Sequence, residues 1–365
     1  MKIAVPHYMR DMQQSAPGHR FNLYFPIWDA QWEIGSDAKI EAAKSVLAMH
    51  SDDHQRMEAL TLRQQSQALA LGEVVVTYPA VSTAPFVSGM GYEHPLENGF
   101  AFLTPYGLPY LPGSSIKGVL RRAAEEIEID GDLIAQLFGS SADAGEQGAL
   151  SFWDLFPQGD LALDIMTPHH SGYLQKTGTP HDSESPTPLP FLTVAPGAKF
   201  TFRVQRIRPL KCDWHSILQQ CFNHAFDWLG FGAKTAVGYG AMQFDAAAEN
   251  AFGQARQKEA EKRGVRAQHD AEVAQLAAMT PLDRELAQLE KLQAQWGDHA
   301  KMLDDIEAYL QQYAPIDPKV SAWLGDRMDE KYNGIMTNPD ATQGRKMKPK
   351  YKERPRKIAA SLQSP

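Results

Sequence analysis

Cysteine is scarce in this 365-residue chain, and long apolar runs are missing. Cys212 and Cys221 are too few for a disulfide framework or for a four-ligand zinc site of their own. A chain of this length buries a core without staples, so this usage points to a reducing, cytoplasmic compartment. No run approaches the roughly 18 apolar residues of a membrane helix, and no membrane partner is expected. The opening Ile3, Ala4 and Val5 are stopped by Pro6, which does not resemble a secretory signal. The chain also lacks G-x-S-x-G, H-R-D and D-F-G, which removes the serine-hydrolase and kinase readings. With 43% hydrophobic and 22% charged residues it is neither wholly disordered nor collagen-like nor one long coiled coil.

Positive charge is in deficit, at 36 Lys and Arg against 44 Asp and Glu, a net −8 that argues at first sight against a polyanionic partner. The average hides an asymmetry. Eight bases and one acid lie between Arg345 and Lys357, leaving 28 bases against 43 acids elsewhere, a net −15. Bulk charge therefore does not decide whether nucleic acid binds.

Alternation of Phe21, Leu23 and Phe25 with polar neighbours predicts a short strand ahead of Pro26. Residues 36–71, free of Pro and Gly, predict one or two mainly polar helices, and Val74 to Tyr78 a β-rich run. A helix is expected from Ser114 to Glu126 with Ser114 as its cap, and another over 133–138 stopped by Gly139. Strands are expected over 149–153, 161–166, 189–194 and 200–207, a helix over 213–229 ending at Gly230, and a last strand over 237–244. From Glu249 the composition turns helical, with a cap at Thr280 and stripes led by Leu282, Met302 and Val320. After Tyr332 the stripes vanish and the basic tail is expected to be disordered in isolation. The domains read as 1–248 core, 249–332 helical extension and 333–365 tail.

Four segments carry candidate chemistry. In L-P-G-S-S-I-K-G-V-L-R-R (111–122), a glycine before a helix start leaves N–H groups and hydroxyls for an anion, and Lys117 and Arg121 add charge. The spacing is not a Walker motif, since Val119 and Leu120 stand where Lys and Ser or Thr are required, and an ordinary capped helix has the same pattern. G-F-G-A-K-T-A-V-G-Y-G (230–240) places four glycines around Lys234 and Tyr239, suiting either close ligand approach or a tight turn. It runs from helix to strand, opposite to a dinucleotide fingerprint, so NAD and ATP are not expected. Asp164, His169, His170, Tyr173, His181, Asp182 and Glu184 offer polar groups without recognised metal spacing. In the tail, Lys346, Lys348, Lys350, Lys352 and Arg354 flank Tyr351, suiting either RNA phosphates or solvent.

Together the glycine-containing helix start and the distal glycine loop resemble the RAMP proteins of CRISPR effector complexes. G-M-G-Y-E-H-P-L-E-N-G-F (89–100), G-L-P-Y-L-P-G-S-S-I-K-G (107–118), L-F-G (137–139), D-I-M-T-P-H-H (164–170) and S-P-T-P-L-P-F-L (185–192) narrow the likeness to the family of RAMP subunits numbered six in type III-B (Cmr) complexes. The resemblance covers about residues 20–245 and is silent on the chain beyond. It implies an α+β, ferredoxin-like (RRM-like) core with insertions, followed by a helical extension. It also implies a non-catalytic, cofactor-free subunit that binds crRNA near its 3′ part and caps the effector backbone. Target RNA and other RAMP and small subunits would be its partners. By motif, Ser114, Ser115, Lys117 and Arg121 would meet the RNA backbone, with Gly230, Gly232, Lys234 and Thr235 as a second contact. The alternative from the enzyme class is a metal-independent endoribonuclease using His169 or His170 as general acid/base.

Overall fold

A computed structural model describes residues 2–6, 8–9, 12–35, 38–140, 145–167, 176, 178–179, 188–313, 315–332, 334–337 and 349–363, with the side chains of 276 and 349–352 left aside. The chain divides into two compact units, Met1–Ala260 and Glu261–Pro365.

The first unit opens with helices α1 (Pro17–Asn22), α2 (Ala38–Ser45) and α3 (Ser51–Leu71) before strand β1 (Val75–Ser82). The expected strand at Phe21 is instead the end of a helical turn. Pro17 occupies its first turn, where the missing N–H costs nothing, and Phe21 and Phe25, four residues apart, meet edge to face at 5.5 Å. Leu23, the middle member of the supposed alternation, is 58% exposed.

A short hairpin, β2 (Phe102–Leu103) with β3 (Leu108–Pro109), leads to α4 (Gly113–Glu126), α5 (Gly131–Phe138) and β4 (Leu150–Phe152). A second hairpin, β5 (Leu161–Met166) with β6 (Leu189–Val194), precedes β7 (Lys199–Arg206) and α6 (Trp214–His224). A π-turn (Ala225–Leu229) continues α6 to Gly230, and β8 (Met242–Phe244) closes the sheet. The expected strand over 237–244 is thus cut to its last three residues. Thr235–Val237 form a 3₁₀ turn, and Gly238 and Gly240 sit at φ 96° and 70°, outside extended geometry.

The main sheet has the order β4-β7-β1-β8 with every neighbour antiparallel. Taken with α4 and α6 this is β-α-β-β-α-β, the ferredoxin-like arrangement. Alternation along β7 sends Phe200, Phe202 and Val204 into the core beneath the helices, where Phe202 meets Phe222, Phe226 and Phe231. The opposite face turns Arg203 towards α3.

α7 (Ala246–Ala278) contains the boundary between the units. In the second unit α8 (Pro281–Gln293), α9 (His299–Tyr313), α10 (Pro318–Tyr332) and α11 (Pro349–Gln363) enclose Leu289, Met302, Ile306, Leu324 and Met328. Thr280 accepts from the Asp283 N–H at 3.1 Å, the expected cap. The tail departs from expectation: α11 buries Ile358, Ala359 and Leu362 in this core, and apolar burial outweighs the disorder favoured by its basic composition.

Candidate nucleic-acid interface

The register fixes which segments share an end of the sheet. Ser82, the last residue of β1, pairs with Met242, the first of β8, and Val81 pairs with Lys199, the first of β7. The glycine loop leads into β8 at that end, while the start of α4 lies against Phe152, which pairs with Val204 further along β7.

At α4, a Cβ on Gly113 would lie 2.0 Å from the Phe152 carbonyl oxygen, so only glycine lets the helix start against the end of β4. The cap is not Ser114, as expected. Helix geometry begins one residue earlier, and the Gly113 N–H donates to Asp154 Oδ1 at 2.8 Å from the chain just past β4. This frees the Ser114 and Ser115 hydroxyls, and both residues are exposed. Lys117 is half-buried one turn on, with no described carboxylate within 4 Å. Arg121 is already engaged, donating to Gly139 O at 2.7 Å and to Glu125 at 3.2 Å, and so ties α4 to the end of α5.

The glycine loop is pinned by backbone. Phe231 N–H donates to Gly240 O (3.0 Å), Gly240 N–H to Pro85 O (2.8 Å) and Ala233 N–H to Val87 O (2.7 Å). Gly232 sits at φ 98°, and a Cβ there would come within 2.2 Å of Val87 O. Lys234 is held at φ 59° with its ammonium 5.6 Å from the Phe191 ring and 5.8 Å from the Tyr239 ring, against Met166 Sδ at 3.8 Å. Thr235 opens the 3₁₀ turn, and Gly230 ends the π-turn.

Asp164 joins this cluster, which the sequence did not show. The Tyr239 hydroxyl donates to Asp164 Oδ2 at 2.7 Å, and desolvation followed by this carboxylate pushes the phenol up to about 12. The D-I-M stretch therefore braces the loop from β5. Its signal was the motif itself; its role depended on a partner 75 residues away. Trp228, on the π-turn beside the loop, is 78% exposed and was also missed.

Other expected residues fall elsewhere. His169, His170, Tyr173, His181, Asp182 and Glu184 lie outside the described residues, as do Lys346, Lys348 and the side chains of Lys350 and Lys352. Arg354, read as a possible RNA contact, is committed inside the second unit to Asp304 at 2.6 Å and to Glu307 at 3.0 Å, and these bonds raise its pKa. Burial pushes the Cys221 thiol up to about 11, so it is a packed side chain rather than a nucleophile. Among the described residues no three His, Cys, Asp or Glu side chains cluster as metal ligands, and no helix is long and apolar enough to cross a membrane.

The stretch that holds both clusters, residues 81–243, matches the model of the RAMP superfamily. The matched stretch is just under half of the chain. Two curated relatives are similar. One is the Cmr subunit Cmr6 of Pyrococcus furiosus, at 26% identity over 43% of this chain and 64% of its own length. The other is that of Saccharolobus solfataricus, at 29% over 39% and 47%. The chain thus spans less than two thirds of the length of either. A chain in the cryo-EM structure of the type III-B Cmr-beta complex bound to cognate target RNA aligns with a TM-score of 0.46, 21% identity, 57% of this chain and 71% of that one.

Proposed function

We propose that this protein is a non-catalytic crRNA-binding subunit of a type III-B CRISPR effector, sitting at the end of its backbone near the 3′ part of the guide, with other RAMP and small subunits as partners in the cytoplasm. The supporting observation is that the α4 start and the glycine loop are each shaped by a close approach to backbone that only glycine allows, each beside a lysine with no described carboxylate within 4 Å. The Ser114 and Ser115 hydroxyls and the ammonium of Lys117 suit phosphate oxygens, while the loop of Gly230, Gly232, Lys234 and Thr235 offers a second, cationic wall. Such contacts read backbone and shape, leaving sequence to base pairing with the guide. They also need no bulk positive charge, which reconciles the net −8 with a polyanionic partner.

The test is filter binding of single-stranded RNA to the full chain at low salt. Lys117→Ala combined with Lys234→Ala should weaken binding about tenfold and reduce the salt slope by roughly 0.7 per lost phosphate contact. Equal affinity of the double variant and the parent would remove this assignment.

A further inference from the structure

The sheet face opposite α4 and α6 carries a buried cation without a counter-charge. Arg203, in the middle of β7 opposite Thr77 of β1, is 2% exposed. Its Nη1 donates to Gln64 Oε1 of α3 at 2.9 Å, but Nε and Nη2 have no hydrogen-bond partner. Arg20, also buried and also with an unpartnered Nε, differs in that both its terminal nitrogens donate to the carbonyls of Ser45 and Ala48 and it feels the charge of Asp53. For Arg203, burial alone acts on the guanidinium and lowers its pKa to about 10, with no carboxylate offsetting it. It stays charged at neutral pH.

Arg203 lines a small cavity together with Gln65, Val75, Thr77, Phe252 and Arg256. Two guanidiniums and the Thr77 hydroxyl thus border one space; none of the lining residues is acidic, although Glu249 of the same helix acts on Arg256 from outside it, leaving Arg203 the uncompensated one. The volume is about 10 Å³, close to the roughly 10–15 Å³ that a single water-sized group requires. A tetrahedral phosphate does not fit whole. A neutral water would meet the unpartnered N–H groups but would leave the charge uncompensated, which is the costly part of burying an ion.

We propose that Arg203 and Arg256 hold one small inorganic anion of halide size against the sheet. The anion supplies the counter-charge that no carboxylate gives Arg203 and fastens the covering helix to the sheet. This site is independent of the RNA reading, since it lies on the other face and takes a ligand of another size.

Two measurements on the full chain decide it. In crystals of the unmodified protein soaked in bromide, an anomalous peak is expected within hydrogen-bonding reach of Arg203 Nε or Nη2, and a site without one overturns the proposal. In melting experiments at constant ionic strength, replacing about 0.2 M gluconate by chloride should raise the Tm by about 2–4 °C. Arg203→Met should abolish that rise and Arg256→Gln should reduce it; an equal chloride response in parent and variants sinks the idea. If Arg203→Met does not fold, Arg256→Gln and the bromide measurement still decide.

Discussion

In the first unit, backbone meets backbone. Gly113 lies against the Phe152 carbonyl and Gly232 against that of Val87, and these two approaches shape the surface where RNA is proposed to bind. The second unit has no such approach on Gly264 or Gly297, where an added Cβ would meet nothing within 4 Å; it is held by side chains, with Leu289, Met302, Leu324 and Met328 inside and ion pairs outside. Both units pair cations with acids, Lys39, Arg56, Arg121 and Arg122 among them in the first. Lys117 has no described carboxylate nearby, whereas Lys291, Lys301, Arg327, Arg354 and Lys357 are each paired with acids. A basic sequence and an available positive charge are therefore different things, and the less basic unit is the better candidate for polyanion contact.

The sharpest way to break that comparison is at the glycines. Gly232→Ala combines a left-handed φ with a collision against fixed backbone and should cost about 3 kcal/mol or more, as should Gly113→Ala. Gly264→Ala, in the open helix α7, should instead stabilise by about 0.5–1 kcal/mol. Chemical denaturation of the three variants checks this. Equal small effects at all three would erase the distinction between the units.

Next in size is the apolar core of the second unit. Leu324 is fully buried there, and Leu324→Ala should cost about 2–5 kcal/mol. Because its neighbours all belong to the second unit, hydrogen exchange should show loss of protection in α8 to α11 while β1 and β7 keep theirs. Loss in both would make the two cores one cooperative body. A smaller step is Thr280→Ala, which removes the cap on α8 and should cost about 1 kcal/mol in the same experiment.

What could be read from sequence divides along similar lines. β5 and β6 stand where the apolar runs put them, and the Thr280 cap is local, with donor and acceptor three residues apart. Ser114 was misread because its helix is capped by Asp154, 41 residues away. Phe21 was misread because an i, i+4 pair passes for alternation when only three apolar positions are visible. The glycines of the loop were legible as glycines, yet the aromatic wall around Lys234 was not, since Phe191 comes from β6. In α11, Ile358 and Leu362 give too short a stripe to announce a helix whose burial is supplied by other helices.

The smallest predicted effect separates the two kinds of cation most directly. Arg354 is bonded to Asp304 and Glu307 on α9, but the pairs are about 40% exposed on the Arg354 side, so solvent screens them. Arg354→Ala should therefore cost only about 0.5–1 kcal/mol of stability. If the arginine is spent on those acids, the same variant should bind single-stranded RNA within about twofold of the parent and with the same salt slope, while Lys117→Ala alone loses affinity. Were Arg354→Ala to weaken RNA binding more than Lys117→Ala, RNA would have to draw the guanidinium away from two carboxylates in place of solvent, and the interface would belong on the second unit rather than on the first.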